Sequence, residues 1–138
     1  MHTPIEALIN EVRLLYQSLV QIGDELHAGS NISMGMRAVL EYLERNGDAT
    51  VPHIARSRRV TRQRIQALVN ALAQQRLVEA VTNPASKRSP LITLTRVGAT
   101  TILEMRKREA RAMHIEISEN KLRDATQTLA SVRTALEE

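Results

Sequence analysis

Apolar residues recur every three to four positions along most of this chain, which is the spacing of one face of an α-helix. The first run starts at Thr3-Pro4, an N-cap followed by proline, and predicts a helix over about residues 4–27. A second run predicts a helix over about residues 33–46. Gly47 follows it and is placed to end the helix in the left-handed conformation.

The middle of the chain changes from this helical spacing to shorter elements. Thr50 and Thr61 are suited to cap two short helices, and alternating apolar and polar residues then indicate strands on either side of a turn-rich basic loop. The predicted elements are a helix over 51–58, a helix over 62–75, a strand over 77–81, a loop over 83–90 and a strand over 91–94. Two helices followed by a β-hairpin with a basic tip are the layout of a winged helix-turn-helix.

Two further helices are predicted after the hairpin. Thr95 caps a fifth over 96 to about 117, and Ser118 caps a sixth over 119–136. In the sixth helix, apolar residues are spaced 3-4-3-4 like those of a coiled coil, namely Leu122, Ala125, Leu129, Val132 and Leu136. This seam indicates dimerisation, although packing within its own subunit remains open. The predicted fold is mainly α with a small β-hairpin, a winged helix-turn-helix flanked by long N- and C-terminal dimerisation helices.

Charge is concentrated in the predicted winged helix. The 50–90 window has a net charge of +7, whereas the rest of the chain carries −3. Its eight basic residues are Arg56, Arg58, Arg59, Arg62, Arg64, Arg76, Lys87 and Arg88, and its one acid is Glu79. A polyanion such as double-stranded DNA is the natural partner of this segment, because neutralised phosphates release counterions. The alternative, an ordinary solvated face, does not account for the coincidence of charge with this layout.

Composition excludes several classes of protein. Tyr16 and Tyr42 are the only aromatic residues among Phe, Trp and Tyr, so an RNA-binding surface built on base stacking is not expected. The chain has no cysteine, which excludes disulfides and thiol chemistry. No apolar run approaches the ~18 residues of a membrane span, and the N-terminus lacks the order of a signal peptide. We therefore expect a cytoplasmic protein without a membrane partner.

The candidate DNA-binding residues fall into three groups according to their chemistry. Those suited to base edges in the major groove are Arg62, Gln63 and Gln66 on the fourth helix. Those suited to phosphates are Arg58, Arg59, Thr61 and Arg64. Those suited to the minor groove are Lys87 and Arg88 at the hairpin tip. For Gln63 and Gln66, an ordinary place on an exposed helix surface remains an alternative.

Three segments carry a resemblance to the multiple-antibiotic-resistance regulator (MarR) family. They are Leu77-Val78, the wing over 83–89 with the letters NPASKRS, and the junction LTRVG over 94–98. The resemblance implies a single domain, with dimerisation helices over 1–30 and 96–138 around a DNA-binding lobe over 31–95. It also implies a homodimeric bacterial regulator, most simply a repressor, whose fourth helix enters the major groove while Arg88 reaches the minor groove. Many members of the family are released from DNA by small phenolic or lipophilic effectors.

Two departures from the family pattern and the absence of cysteine affect this expectation. Arg76 stands where the family usually has glycine, and a left-handed backbone there costs a non-glycine residue about 1 kcal/mol. Two tyrosines cannot build an aromatic-lined pocket, which argues against a typical phenolic effector. The absence of cysteine excludes induction by thiol oxidation.

The leading hypothesis is a sequence-specific regulator that binds a pseudo-palindromic operator; the alternative is a winged-helix protein–protein adaptor. An enzyme is not expected, because the chain has no glycine-rich phosphate loop and no nucleophile motif. No cofactor or metal is expected: the histidines lack metal spacing and are assigned to the surface or an interface, namely His2, His27, His53 and His114. Four methionines are assigned to the core or an interface, with an effector cavity as the alternative, namely Met34, Met36, Met105 and Met113. The operator, the regulated genes, the direction of regulation and any effector stay open.

Overall fold

The computed structural model describes residues 1–138 as six helices and a three-stranded antiparallel sheet with strand order β1-β3-β2. The helices are α1 (Pro4–Leu26), α2 (Met34–Asn46), α3 (Val51–Arg58), α4 (Arg62–Gln74), α5 (Arg96–Ala112) and α6 (Glu119–Glu137). The strands are β1 (Ala49–Thr50), β2 (Val78–Val81) and β3 (Leu91–Leu94). The predicted fold class is therefore confirmed, with one strand added to the hairpin.

Helix starts follow from the chain's hydroxyl residues. Each helix begins directly after a Ser or Thr whose side-chain oxygen accepts a backbone N–H of the first turn. These N-caps are Thr3, Ser33, Thr50, Thr61, Thr95 and Ser118. Because a cap fixes where a helix starts, the predicted starting positions of all six helices are confirmed.

The hydrophobic core lies inside the winged-helix lobe and includes the inner face of α5. Its most deeply buried large side chains are Leu40, Ile54, Ile65, Leu72 and Ile102, each at most 2% exposed. By contrast, α1 and α6 contribute no buried residue. The lobe thus holds α3, α4 and the hairpin on a packed core, while the two long terminal helices have little of their own chain to pack against.

Three sequence predictions need correction. The fifth helix ends at Ala112 and not near residue 117, and residues 114–118 have no regular secondary structure. This segment contains Ile115 and Ile117, whose β-branched side chains lose rotamer freedom in a helix. Strand β1 was not predicted, since two residues are too few to show a period. Gly47 ends α2 with φ of 81° but ψ of −169°, so its conformation is not the left-handed helical one.

A tight junction fixes the start of α5 against the start of the wing. Thr95 Oγ1 donates to the Arg76 carbonyl at 2.6 Å, and the Thr95 N–H donates to the Leu77 carbonyl at 3.1 Å. A Cβ on Gly98 would lie 1.9 Å from that Leu77 oxygen, so only glycine fits there. Arg76 has φ of 59°, which is the left-handed conformation anticipated for this departure from the family's glycine.

None of the helices combines the length and apolar character that a membrane crossing requires.

Candidate nucleic-acid interface

A groove of about 490 Å³ runs between α4 and the wing. From here on, the wing means the whole hairpin, which consists of β2, the loop over 82–90 and β3. Arg62, Gln63 and Gln66 line it from α4, and Arg88 lines it from the wing. The buried side chains Ile65, Val69 and Leu72 seat α4 on the lobe, so its polar residues are turned outward. The structure therefore brings together the three side chains predicted to read bases and the arginine predicted to enter the minor groove.

The wing has a defined shape because Asn83 ties its two sides together. Its side-chain nitrogen donates to the Ser89 carbonyl at 2.9 Å, and its side-chain oxygen accepts the Ala85 N–H at 3.1 Å. Lys87 and Arg88 lie in the turn that these bonds close, and both are exposed. A closed turn reduces the conformational entropy that the loop would lose on binding a groove.

The residues predicted to contact phosphates do not form one cluster. Thr61 uses its hydroxyl to cap α4 by accepting the Arg64 N–H at 3.1 Å. Arg58 lines a different cavity, next to α1 and α2. Arg59 ends α3 in the left-handed conformation and forms an ion pair of 3.2 Å with Glu137 at the end of α6. Arg64 is exposed and outside the groove, at the N-terminal end of α4.

Asn70 and Glu79 also line the groove and were not among the predicted DNA-binding residues. Asn70 accepts a hydrogen bond of 2.9 Å from the Gln66 side chain, and its position seven residues after Gln63 on α4 was the signal that places it on the same face. Glu79 contributes the acidic side chain of β2 to the groove. A carboxylate at this place opposes phosphates and can accept from the amino group of cytosine.

A second feature lies where α1, α2 and α5 meet, outside the groove. The Glu109 carboxylate of α5 accepts hydrogen bonds from the Arg37 guanidinium of α2, one of them 2.6 Å long, and lies 3.1 Å from His27 Nε2 at the end of α1. Arg37 also pairs with Glu41 one turn along α2. His27, predicted at the surface or an interface, is buried, with 8% of its surface exposed. These contacts tie both flanking helices to the lobe.

The directions of the pKa shifts favour the charged forms of Glu109 and Arg37 in this cluster. Burial alone would raise the pKa of the Glu109 carboxyl, but hydrogen bonds from Arg37 and His27 outweigh it and lower that pKa below its usual value. The hydrogen bond to Glu109 is also the largest influence that raises the pKa of the Arg37 guanidinium. Beside this cluster lies a cavity of about 420 Å³, which α1, α2 and α5 line together.

The exposed polar face of α4, the basic wing and the long flanking helices together define a winged helix-turn-helix fold. Residues 37–89, which cover most of the lobe, match the model of the MarR family. No curated protein matches the sequence. The predicted resemblance to the MarR family is therefore confirmed, and the segment that matches contains α3, α4 and most of the wing.

Solved structures extend this likeness to the whole chain. The crystal structure of a MarR family transcription regulator matches with a TM-score of 0.83 at 21% identity, covering 96% of this chain and 90% of the other. FabT of Streptococcus pneumoniae, solved in complex with DNA, matches with a TM-score of 0.75 at 16% identity, covering 96% and 97%. BpsR of Bordetella bronchiseptica, whose DNA binding is regulated by 6-hydroxynicotinic acid, matches at 0.77 and 16%, covering 96% and 97%. The chain has the fold of MarR family transcription regulators over nearly all its length.

Proposed function

We propose that this protein is a homodimeric, sequence-specific DNA-binding regulator with no catalytic role, acting most simply as a repressor. The observation that carries the proposal is the groove in which Arg62, Gln63 and Gln66 of α4 face Arg88 of the wing. A helix with an apolar back and a polar front is what the major groove admits, and the DNA complex of a similarly folded protein favours the same use here.

Each group of residues has a distinct role in this proposal. Arg62 pairs with guanine and Gln63 and Gln66 with adenine, because these side chains match the donor and acceptor patterns of those bases. Arg88, held by the closed wing, enters the flanking minor groove with Lys87 beside it. The remaining proposed contacts are to phosphates and set the register on DNA, and these are Arg58, Arg59, Thr61 and Arg64.

The terminal helices, together with α5, make the dimer in this proposal. The side chains on α1 that are left exposed in a single chain include Ile5, Leu15 and Leu19, at 49%, 55% and 40%. On α6, Leu122 and Leu136 of the predicted seam are 45% and 75% exposed. A second copy of the chain can bury the exposed apolar surfaces of α1 and α6 against its own α1 and α6. In this proposal the dimerisation segments are residues 1–30 and 96–138, on either side of the lobe over 31–95.

The cavity beside Glu109 gives the dimer a route to regulation. It lies between the dimerisation helices α1 and α5 and helix α2 of the lobe, so a bound molecule changes the angle between them. Two recognition helices must match half-sites about one helical turn apart, and an effector needs only to prefer a spacing that misfits DNA. The effector-regulated BpsR supports this part of the proposal.

Genomic fragments selected by the purified protein, followed by gel-shift titrations, test the function. Arg88→Ala is expected to lower affinity for a selected site by tenfold or more, on the order of one lost charge-assisted hydrogen bond per subunit. Gln63→Ala is expected to relax base preference at one position of each half-site more than it lowers affinity. Arg45→Ala, at an exposed arginine of α2 outside both the groove and the proposed dimerisation segments, is the matched control and should bind like the wild type.

The alternative is a winged-helix adaptor that contacts other proteins. The polar front of α4 and its flanking arginines disfavour it, since adaptor surfaces need an apolar patch. Failure to retain any genomic fragment at low salt, together with affinity that is insensitive to added salt, would favour the adaptor over the regulator.

A further inference from the structure

The amide of Gln66 is held by Asn70 on the exposed face of α4. Gln66 Nε2 donates to Asn70 Oδ1 at 2.9 Å, and both residues line the groove between α4 and the wing. They are one helical turn apart, which is the spacing at which side chains on a helix surface interact. Gln63 lines the same groove, and no hydrogen bond within the chain holds its side chain. Of the two glutamines proposed to read bases, Gln66 is therefore the one whose amide is already oriented without DNA.

The bond to Asn70 determines which groups of the Gln66 amide stay free. An amide has one oxygen, which accepts, and two N–H groups, which donate. Asn70 occupies one N–H, so the oxygen Oε1 and the second N–H remain for a base. In the major groove adenine presents one donor and one acceptor side by side, whereas guanine presents two acceptors. The free groups of Gln66 therefore match adenine and do not match guanine.

The place of Asn70 along α4 indicates a supporting role and not a base contact of its own. In a helix-turn-helix the N-terminal residues of the recognition helix contact base edges. Gln66 is the fifth residue of α4 and Asn70 the ninth, one turn further from the N-terminal end. Asn70 thus lies behind Gln66 with respect to the base edges.

A held amide improves the discrimination between bases. A long polar side chain loses rotamer freedom when it binds, and this loss weakens the complex. Because Asn70 restricts Gln66 in the free protein, less freedom remains to be lost on adenine. A base that does not match the amide leaves Gln66 unbound and gains nothing from this restriction. The bond to Asn70 should consequently raise the affinity for the matching base alone.

We propose that Asn70 is a positioning residue, which holds the Gln66 amide in the orientation that reads adenine. The inference deepens the proposed function and rests on it, since α4 must lie in the major groove for Gln66 to meet a base. It adds a residue that determines specificity through Gln66 without a DNA contact of its own.

A double-mutant cycle on a selected DNA site tests the proposal. Gln66→Ala first identifies the base-pair position at which the preference for adenine depends on Gln66. Fluorescence anisotropy then measures that preference for the wild type, both single variants and the double variant. Asn70→Ala is expected to lower the preference about 2- to 10-fold, the range for ordering one long side chain. In the Gln66→Ala background, the same change should have no effect, because its partner is absent.

A conservative variant separates positioning from a general structural effect. Aspartate only accepts, so Asn70→Asp keeps Gln66 donating in the same orientation. Its added charge should weaken binding to every sequence, while the preference for adenine returns to the wild-type value. Gln74→Ala is the matched control, because Gln74 is an exposed glutamine of α4 outside the groove, and it should keep the preference. Alanine is a better helix former than asparagine, so Asn70→Ala should stay folded, which a melting curve checks.

Three results would overturn the proposal. Equal losses from Asn70→Ala in both backgrounds would mean that Asn70 contacts DNA by itself. An unchanged preference in Asn70→Ala, or one that Asn70→Asp does not restore, would mean that the bond to Gln66 does not determine specificity. If Gln66→Ala alters the preference at no position, Gln66 reads no base and Asn70 has nothing to position.

NMR signals of the Gln66 side-chain amide separate this proposal from the proposed function. In the DNA-free protein, Asn70→Ala should shift these signals and Gln74→Ala should not. If the signals do not shift while the wild type binds its selected site, the regulator proposal stands and the inference fails. If they shift but the wild type retains no DNA, the regulator proposal fails, and the inference about reading adenine fails with it.

Discussion

Gly98→Ala is expected to destabilise the protein strongly, because a methyl group at this position meets backbone and not a movable side chain. The added Cβ would lie 1.9 Å from the Leu77 carbonyl oxygen and 2.9 Å from its carbon. Contacts under 3.0 Å are essentially never found, so α5 and the start of the wing must separate by about 1 Å.

The loss of unfolding free energy can be worked out from the packing and the hydrogen bonds that this separation disturbs. Overpacking of a tight site costs about 1–3 kcal/mol. The two hydrogen bonds from Thr95 to the carbonyls of Arg76 and Leu77 span the same junction, and weakening them adds about 0.5–1.5 kcal/mol each. The expected loss of unfolding free energy is about 2–6 kcal/mol, a large part of the 5–15 kcal/mol typical of a domain.

Urea denaturation at one fixed protein concentration measures this loss, since the stability of a dimer depends on concentration. Gly23→Ala is the matched control: a Cβ there has nothing within 4 Å, and alanine in the last turn of α1 should leave stability unchanged or raise it by up to about 1 kcal/mol. A loss below about 1 kcal/mol for Gly98→Ala, or an equal loss for Gly23→Ala, would refute the reasoning about this junction.

Three further variants probe other parts of the structure. Arg76→Gly should raise the free energy of unfolding by about 1 kcal/mol by relieving a φ of 59°, and Arg76→Ala, which removes the charge but keeps the strain, should not. Hydrogen bonds hold the pKa of Glu109 below its ordinary value of 4.5 despite burial, so the stability it contributes is present above that pH and lost as pH falls further. Glu109→Gln should therefore flatten the dependence of the urea midpoint on pH between about 5 and 3; an unchanged slope contradicts this. Glu137→Gln should strengthen DNA binding about 2- to 5-fold, because it frees Arg59 to contact a phosphate. Glu138→Gln is the control: Glu138 forms no ion pair, so this variant should change DNA binding less. Equal effects of the two variants would mean that net charge alone is responsible.

The helices were largely predictable because their signals are local. Each start depends on a hydroxyl cap within three residues of the N–H it accepts, and each apolar face repeats within the helix. The predicted end of α5 was wrong because no glycine or proline marks the real one. The main local signal against a helix over residues 114–118 is their β-branched isoleucines. Strand β1 exists only through its pairing with β3, which is a long-range contact.

Some residues of the candidate site could be predicted from local patterns, and others could not. The groove residues of α4 share a face by helical spacing, and Arg88 follows from the hairpin, so the sequence placed them together. The ion pairs Arg59–Glu137 and Arg37–Glu109 join residues far apart in the chain, and no local pattern reports them. The buried position of His27 depends on the same packing of α1 against α2 and α5.

Hydroxyl-radical footprinting of a selected site tests the central proposal most directly, because it maps every groove that the protein covers. Two symmetry-related protected segments about one helical turn apart are expected, with flanking minor-groove protection that disappears in Arg88→Ala. A single protected segment, or a pattern that Arg88→Ala leaves unchanged, would contradict a dimer that reads DNA with α4 and the wing.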